Sequence, residues 1–312
     1  MSETPMSPTS PTTQTSPTSP VTESDVDLGD GHVLHVYDTG DPGMPGVEPL
    51  VVVWHHGTPN VGAPPRPLFE AAARLGVRWV SYDRPGYGGS TPRPDRDVAS
   101  AARDVAAVAD ALGVGSFAVM GHSGGGTHDL APAALLGDRV RGVVSISPVA
   151  PFGAPGLDWF AGMAPGGEAS LRAAAAGRAT KEAHEAAAAQ VPEGEVDFGF
   201  VPADEAAFSG PWGWLGSVVG PALAAGPAAL IDDDLAYVND WGFDPADITA
   251  PTLVVHGGAD RMVPATHGEW LARTIPGAQL WLQPDDGHIS VLRTAEDALE
   301  WLARTARTTP AP

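Results

Sequence analysis

Residues Gly121-His122-Ser123-Gly124-Gly125 follow the apolar run Phe117-Ala118-Val119-Met120 and precede a stretch, Thr127 to Leu136, whose composition predicts a helix. A serine at a sharp strand-to-helix turn has a strained backbone and a hydroxyl held clear of the sheet, and only small flanking residues let strand and helix pass so closely. Gly121 and Gly125 supply that room. The N–H of Gly124 would face whatever oxygen the serine attacks, at a helix N-terminus where negative charge is favoured. The pentapeptide therefore reads as an activated nucleophile. In a chain with 38 glycines it counts only through its context.

A serine hydroxyl attacks poorly until a base takes its proton, and that base is commonly an imidazole oriented by a carboxylate. Downstream, the apolar run Thr252-Leu253-Val254-Val255-His256 leads into Gly257-Gly258-Ala259-Asp260-Arg261-Met262-Val263-Pro264, which places Asp260 just past a strand end. A further strand, Ala278 to Leu282, leads through Gln283-Pro284-Asp285-Asp286-Gly287 to His288. Asp260 is the candidate acid and His288 the candidate base. The strand Val140 to Ile146 offers no nearer carboxylate than Asp158, and Asp285 and Asp286 sit too close to His288 on one turn to address the imidazole from the correct side. These last two read as loop acids.

The order Ser, Asp, His resembles that of the α/β-hydrolases of the esterase and lipase type with a cap domain. Four motifs carry the resemblance across about residues 28 to 307: His56-Gly57-Thr58-Pro59, Gly121 to Gly125, Asp260 in Gly-x-x-Asp-x-x-Val-Pro, and Gly287-His288. It implies that the N–H of Thr58 joins that of Gly124 in an oxyanion hole. It also implies a serine hydrolase that cleaves a carboxylic ester or lactone of a small molecule through an acyl-enzyme, with no cofactor. Thioesterases, carbon–carbon bond hydrolases and cofactor-free haloperoxidases share the triad. Prolyl aminopeptidases resemble His-Gly-Gly-Pro-Gly where this chain has His56-Gly57-Thr58-Pro59-Asn60, and a non-catalytic receptor on the same fold is the alternative outside enzymes.

Continuous apolar runs such as Leu50-Val51-Val52-Val53-Trp54 are expected of strands buried on both faces, and the alternation in His32 to Tyr37 of an edge strand. Val77 to Tyr82, Phe117 to Gly121, Val140 to Ile146, Thr252 to His256 and Gln279 to Leu282 continue the series. Helical patterns lie between them at Pro67 to Leu75, Val98 to Leu112, Thr127 to Leu136, His267 to Thr274 and Ala295 to Thr305. This alternation predicts an α/β fold with a mostly parallel sheet covered by helices on both faces. The loop Asp83-Arg84-Pro85-Gly86-Tyr87-Gly88-Gly89-Ser90 is given a structural role.

Residues 151 to 247 break the pattern, with an Ala-rich helical run from Ala169 to Gln190 and several tryptophans. The organisation expected is a Ser/Thr/Pro tail without fixed structure over 1–24, a core in two parts over 25–150 and 248–312, and a helical cap over 151–247 that roofs the serine. Trp159 and Trp214 are the candidate substrate-binding aromatics. Asp232-Asp233-Asp234 reads as a helix start or a solvated turn. His55, His56 and His122 lack the spacing of a metal site, so no metal is assigned. His122 is expected beneath the nucleophile, and His56 bonded to its own turn.

Forty-three percent of the 312 residues are apolar, enough for a sizeable core. The formal charge of −21, with Lys181 the only lysine, disfavours nucleic acid and anionic membranes as partners and suits a neutral or cationic small-molecule substrate. The tail has no apolar signal region and the chain no run of about 18 apolar residues, so a cytoplasmic protein is expected. The chain has no cysteine, so neither disulfides nor thiol chemistry arise.

Overall fold

The computed structural model describes residues 21–46, 48–192 and 196–309. Its eight strands are β1 (Thr22–Asp27), β2 (Val33–Asp38), β3 (Leu50–His55), β4 (Val77–Tyr82), β5 (Phe117–His122), β6 (Val140–Ile146), β7 (Thr252–Gly257) and β8 (Gln279–Gln283). They form one sheet in the order β1-β2-β4-β3-β5-β6-β7-β8. β1 and β2 pair antiparallel, as do β2 and β4, and every later pair is parallel. Most strands expected from continuous apolar runs lie at the centre, where both faces are covered, but β8 is an edge strand whose residues are exposed or half-buried.

Strand alternation sorts the core into two layers. Val51, Val53 and Val119 point to one side of the sheet, and Val52, Trp54, Ala118 and Met120 to the other. Helices α1 (Phe69–Leu75), α2 (Ser100–Ala111), α3 (Gly124–His128) and α4 (Leu130–Leu135) follow the early strands. The expected helix from Thr127 to Leu136 thus begins earlier, at Gly124, and is interrupted at Asp129.

Between β6 and β7 the chain builds α5 (Pro165–Ala175), α6 (Arg178–Ala188), α7 (Pro202–Phe208), α8 (Gly216–Ala222) and α9 (Ala228–Val238). The Ala-rich run is two helices because Gly177, at φ 104°, turns the chain in a conformation that a side chain disfavours. The apolar side chains of this insertion merge with the core. Ile231, Leu235 and Val238 join the layer of Val51, while Trp212, Leu215 and Val218 join that of Val52. The chain closes with α10 (Ala265–Thr274) and α11 (Ala295–Thr308). Among the described residues no helix is long and apolar enough to cross a membrane.

Three expectations need correction. Residues 22–24 were expected in the tail, yet they open β1, and the edge expected at His32 to Tyr37 is covered by it. The reason is chemical: Thr22-Glu23-Ser24-Asp25-Val26-Asp27 is almost wholly exposed, so it lacks the buried face that makes a strand visible in sequence. Residues 1–20 of that expected tail lie outside the described residues. Asp232, Asp233 and Asp234 are neither a helix start nor solvated, for all three are buried in the middle of α9.

The strand order has one reversal that matters. From β3 the chain crosses first to β4 on one side and later to β5 on the other, so the loops after β3 and β5 diverge and leave a crevice at the strand carboxyl ends. His55 is level with Gly121 across this pair, which brings Thr58 and Ser123 to the two lips of the crevice.

Because β1 contributes ladder hydrogen bonds and little buried area, a chain beginning at residue 28 is expected to melt several degrees below one beginning at Val21. The comparison is made by thermal circular dichroism. Equal melting temperatures would show that β1 adds nothing to stability.

Candidate active site

Ser123 occupies the turn between β5 and α3 with φ 57° and ψ −126°, a conformation rare outside glycine. Its N–H donates to Ile146 O at 2.8 Å, and the glycines around it let β5, β3 and α3 touch. A Cβ at Gly125 would fall on the backbone of His55, and one at Gly121 on the backbone of Gly125.

The structure brings the three sequence-predicted groups together. His288 Nε2 lies 2.9 Å from Ser123 Oγ, and His288 Nδ1 lies 2.7 Å from Asp260 Oδ2. A carboxylate only accepts, so Nδ1 carries the ring proton and Nε2 is left to accept from the serine hydroxyl. Asp260 is fully buried, and its other oxygen accepts from the N–H groups of Met262 and Val263, each at 2.9 Å. Burial pushes its carboxyl up, but the His288 imidazole and these hydrogen bonds outweigh burial and leave it below the usual range. Asp286 is held by Arg293 Nε at 2.6 Å, away from the imidazole. His122 lies against His288, its Nε2 2.9 Å from His288 O. Burial, then the charge of His288, lowers it to about 3, so it is a neutral packing residue.

The loop after β3 forms the opposite lip. His56 Nδ1 donates to Gly57 O at 2.8 Å, and its Nε2 accepts the N–H of Arg84 at 2.9 Å. The Arg84 guanidinium donates to His56 O, to Gly57 O at 3.0 Å and to Thr58 Oγ1 at 2.9 Å. All of these carbonyls and the hydroxyl are therefore fixed by one side chain from the loop after β4.

That side chain is fixed in turn from the insertion. Arg84 reaches Asp233 at 2.7 Å, Arg96 reaches it at 2.5 Å, and the hydroxyls of Thr58 and Tyr87 donate to it at 2.6 and 2.9 Å. Asp233 has no exposed surface. Burial alone would raise its carboxyl, but Arg84 and Arg96 hold it well below the ordinary value. Its neighbours on α9 point elsewhere: Asp232 pairs with Arg178 and Asp234 with Lys181, both at 2.6 Å. Successive residues on a helix are turned by about 100°, so the three adjacent carboxylates point in three directions and together address four cations.

A second carboxylate of the insertion grips the other lip. Asp204 Oδ1 accepts from Ile289 N, Ser290 N and Ser290 Oγ at 2.8–2.9 Å, immediately after His288. Sequence reasoning missed Asp204 and Asp233. Pro202 and Asp204 do carry a helix-start signal, with Asp204 Oδ2 accepting from Val201 N, but that signal does not reveal the partners of Oδ1.

The two candidate aromatics lie in different layers. Trp159 is buried beside Phe152, Phe160 and His267, with its indole N–H on Ala150 O at 2.7 Å. Trp214 is half-buried and edge-on to Trp212. Among the described residues no three His, Asp or Glu side chains converge as a metal ion requires.

A model of the alpha/beta hydrolase fold matches residues 51–293. The chain belongs to the α/β-hydrolase family. A pimeloyl-[acyl-carrier protein] methyl ester esterase of Aromatoleum aromaticum is 36% identical over 76 residues, which is 24% of this chain and 28% of that relative. The match thus spans under a third of the relative's length. An enol-lactonase from Burkholderia xenovorans superposes over 92% of this α/β-hydrolase and all of its own chain, with TM-score 0.65 and 21% identity. A bromoperoxidase from Bacillus anthracis covers 91% and 98%, with TM-score 0.65 and 22% identity. At such identities these two show the fold alone.

Burial also fixes the charge state of His267, which lies beneath the insertion with Nε2 2.8 Å from Trp159 O and its Nδ1 accepting Ala150 N–H. Burial, partly offset by its bond to Trp159 O, lowers it to about 4. The unfolded chain binds that proton near pH 6.5, so stability is lost as pH falls from about 6.5 toward 4. In urea unfolding at pH 7 and pH 5, the wild type is expected to lose about 2 kcal/mol more than His267→Gln across that interval. Equal losses would show that His267 does not contribute to acid sensitivity.

Proposed function

We propose that this α/β-hydrolase is a serine esterase that cleaves a carboxylic ester or lactone of a small, hydrophobic molecule through an acyl-enzyme. The observation that carries the reading is the unbroken hydrogen-bonded chain from Asp260 through His288 to Ser123. His288 takes the Ser123 proton as Oγ attacks the carbonyl carbon, then delivers it to the leaving alcohol as the C–O bond breaks. It next removes a proton from water, whose oxygen attacks the acyl carbon, and returns the proton to Ser123. Asp260 holds the tautomer and balances the imidazolium. Both tetrahedral intermediates place negative charge on the former carbonyl oxygen, facing the amides of Thr58 and Gly124. The methyl ester esterase among the similar proteins supports ester chemistry.

The insertion over residues 151–247 acts as the cap in this reading. Its position over the strand carboxyl ends excludes water from the intermediate and strengthens the charge interactions beneath. Trp159 stands in the core and supports the cap, whereas half-buried Trp214 is the aromatic offered to substrate.

Ser123→Ala and His288→Ala are each expected to lower p-nitrophenyl ester turnover by about 10⁴-fold or more with the fold retained. Asp260→Asn should cost about 10³ to 10⁴, since the oxyanion donors stay in place. Turnover above a few percent in either of the first two variants would refute the triad. A fluorophosphonate probe should label Ser123 in the wild type and not in Ser123→Ala.

For the cap, Trp214→Ala is expected to change the chain-length preference across a p-nitrophenyl ester series while melting changes little. An unchanged preference with a loss of about 3–5 kcal/mol, typical of a buried aromatic truncation, would assign Trp214 to the cap core instead.

A further inference from the structure

Gly124 leaves a space that the insertion fills. A Cβ there would fall on the hydroxyl of Tyr237 and 2.5 Å from Thr58 Oγ1. Both hydroxyls thus crowd the residue whose amide faces the oxyanion in the ester-hydrolase reading, on which this inference rests. Tyr237 is almost completely buried, with its ring edge-on to His128 at 5.5 Å between centroids. His128 Nδ1 in turn donates to Gly124 O at 2.7 Å, so the phenol is fixed relative to the first turn of α3.

The proton count at Thr58 gives the direction of each hydrogen bond. Asp233 only accepts, so at 2.6 Å Thr58 donates its single proton to the carboxylate. Arg84 only donates, and it does so to Thr58 Oγ1 at 2.9 Å. The Tyr237 hydroxyl, 2.7 Å from the same oxygen, is therefore a donor too. Its proton rests on a neutral hydroxyl that already has a cationic donor. A developing oxyanion is a much stronger acceptor, and a phenol hydrogen reorients by rotation about one C–O bond. Thr58 keeps Arg84 and Asp233 when it does.

Burial and then the Asp233 carboxylate push the Tyr237 phenol well above its ordinary range, so its proton stays in place to be donated. His128, lowered to about 3 by burial and then by Arg84, is neutral beside it. We infer that the Tyr237 hydroxyl is a third hydrogen-bond donor to the oxyanion, turning from Thr58 Oγ1 as the tetrahedral intermediate forms. The catalytic donor set then spans three segments of the chain, and one of them is the cap.

The test is Tyr237→Phe, which removes one oxygen and keeps the ring against His128. Phosphonylation of Ser123 by a fluorophosphonate builds negative charge on phosphoryl oxygen without any need to know the natural substrate. Its second-order rate is expected to fall about tenfold to a hundredfold, and p-nitrophenyl ester kcat likewise, with KM within about twofold. Loss of one neutral hydrogen bond should move the melting temperature by only a few degrees. A purely structural role would lower melting and leave the rate of the folded enzyme intact. Wild-type labelling at Ser123 with an unslowed Tyr237→Phe overturns the inference and leaves the esterase reading standing. No labelling of wild-type Ser123 overturns both.

Discussion

The ion pairs of Asp233 with Arg84 and Arg96 are the constraint on which the site depends. At an effective dielectric of 20, unit charges about 4 Å apart attract by about 4 kcal/mol, while removing each ion from water costs several kcal/mol. The pairs therefore contribute little net stability compared with apolar side chains of the same volume. Their contribution is position. Removing Asp233 alone would strand two buried guanidiniums, and the loss would be felt first by the carbonyls of His56 and Gly57 and by the Thr58 hydroxyl.

The same logic explains why a buried polar cluster sits under the crevice beside Ser123. Apolar packing fixes volume but tolerates small rotations, whereas hydrogen bonds lose strength steeply with angle and distance. Arg84, with five donors in a rigid fork, holds several acceptors at once. Asp204 does for the loop after His288 what Arg84 does for the loop after β3. Ser123, His288 and the Thr58 loop thus lie on elements whose relative places are set by charge-assisted bonds.

Much of this was legible in the sequence because it is local. The elbow at Ser123 needs small residues within two positions on either side, and the central strands are apolar runs whose alternation survives in the sheet. The triad order and Gly287-His288 followed from resemblance. What was not legible depends on distant pairing: Asp233 finds Arg84 across 149 positions and Asp204 finds Ile289 across 85. Three consecutive aspartates look like a solvated turn until each has its own cation. β1 escaped notice for the opposite reason, since a strand with polar residues on both faces has no periodic signature.

The two grips of the insertion set a limit on how this fold can be recombined. A helical segment taken from another α/β-hydrolase and placed between Ile146 and Thr252 would close the chain and cover the crevice. It would still leave Arg84 and Arg96 facing no carboxylate, and Ser290 without its acceptor. The exchangeable unit is larger than the segment between two strands. It comprises Thr58, Arg84, Arg96 and the turn after His288 together with α7 and α9, so an exchanged insertion has to bring its own carboxylates to these partners.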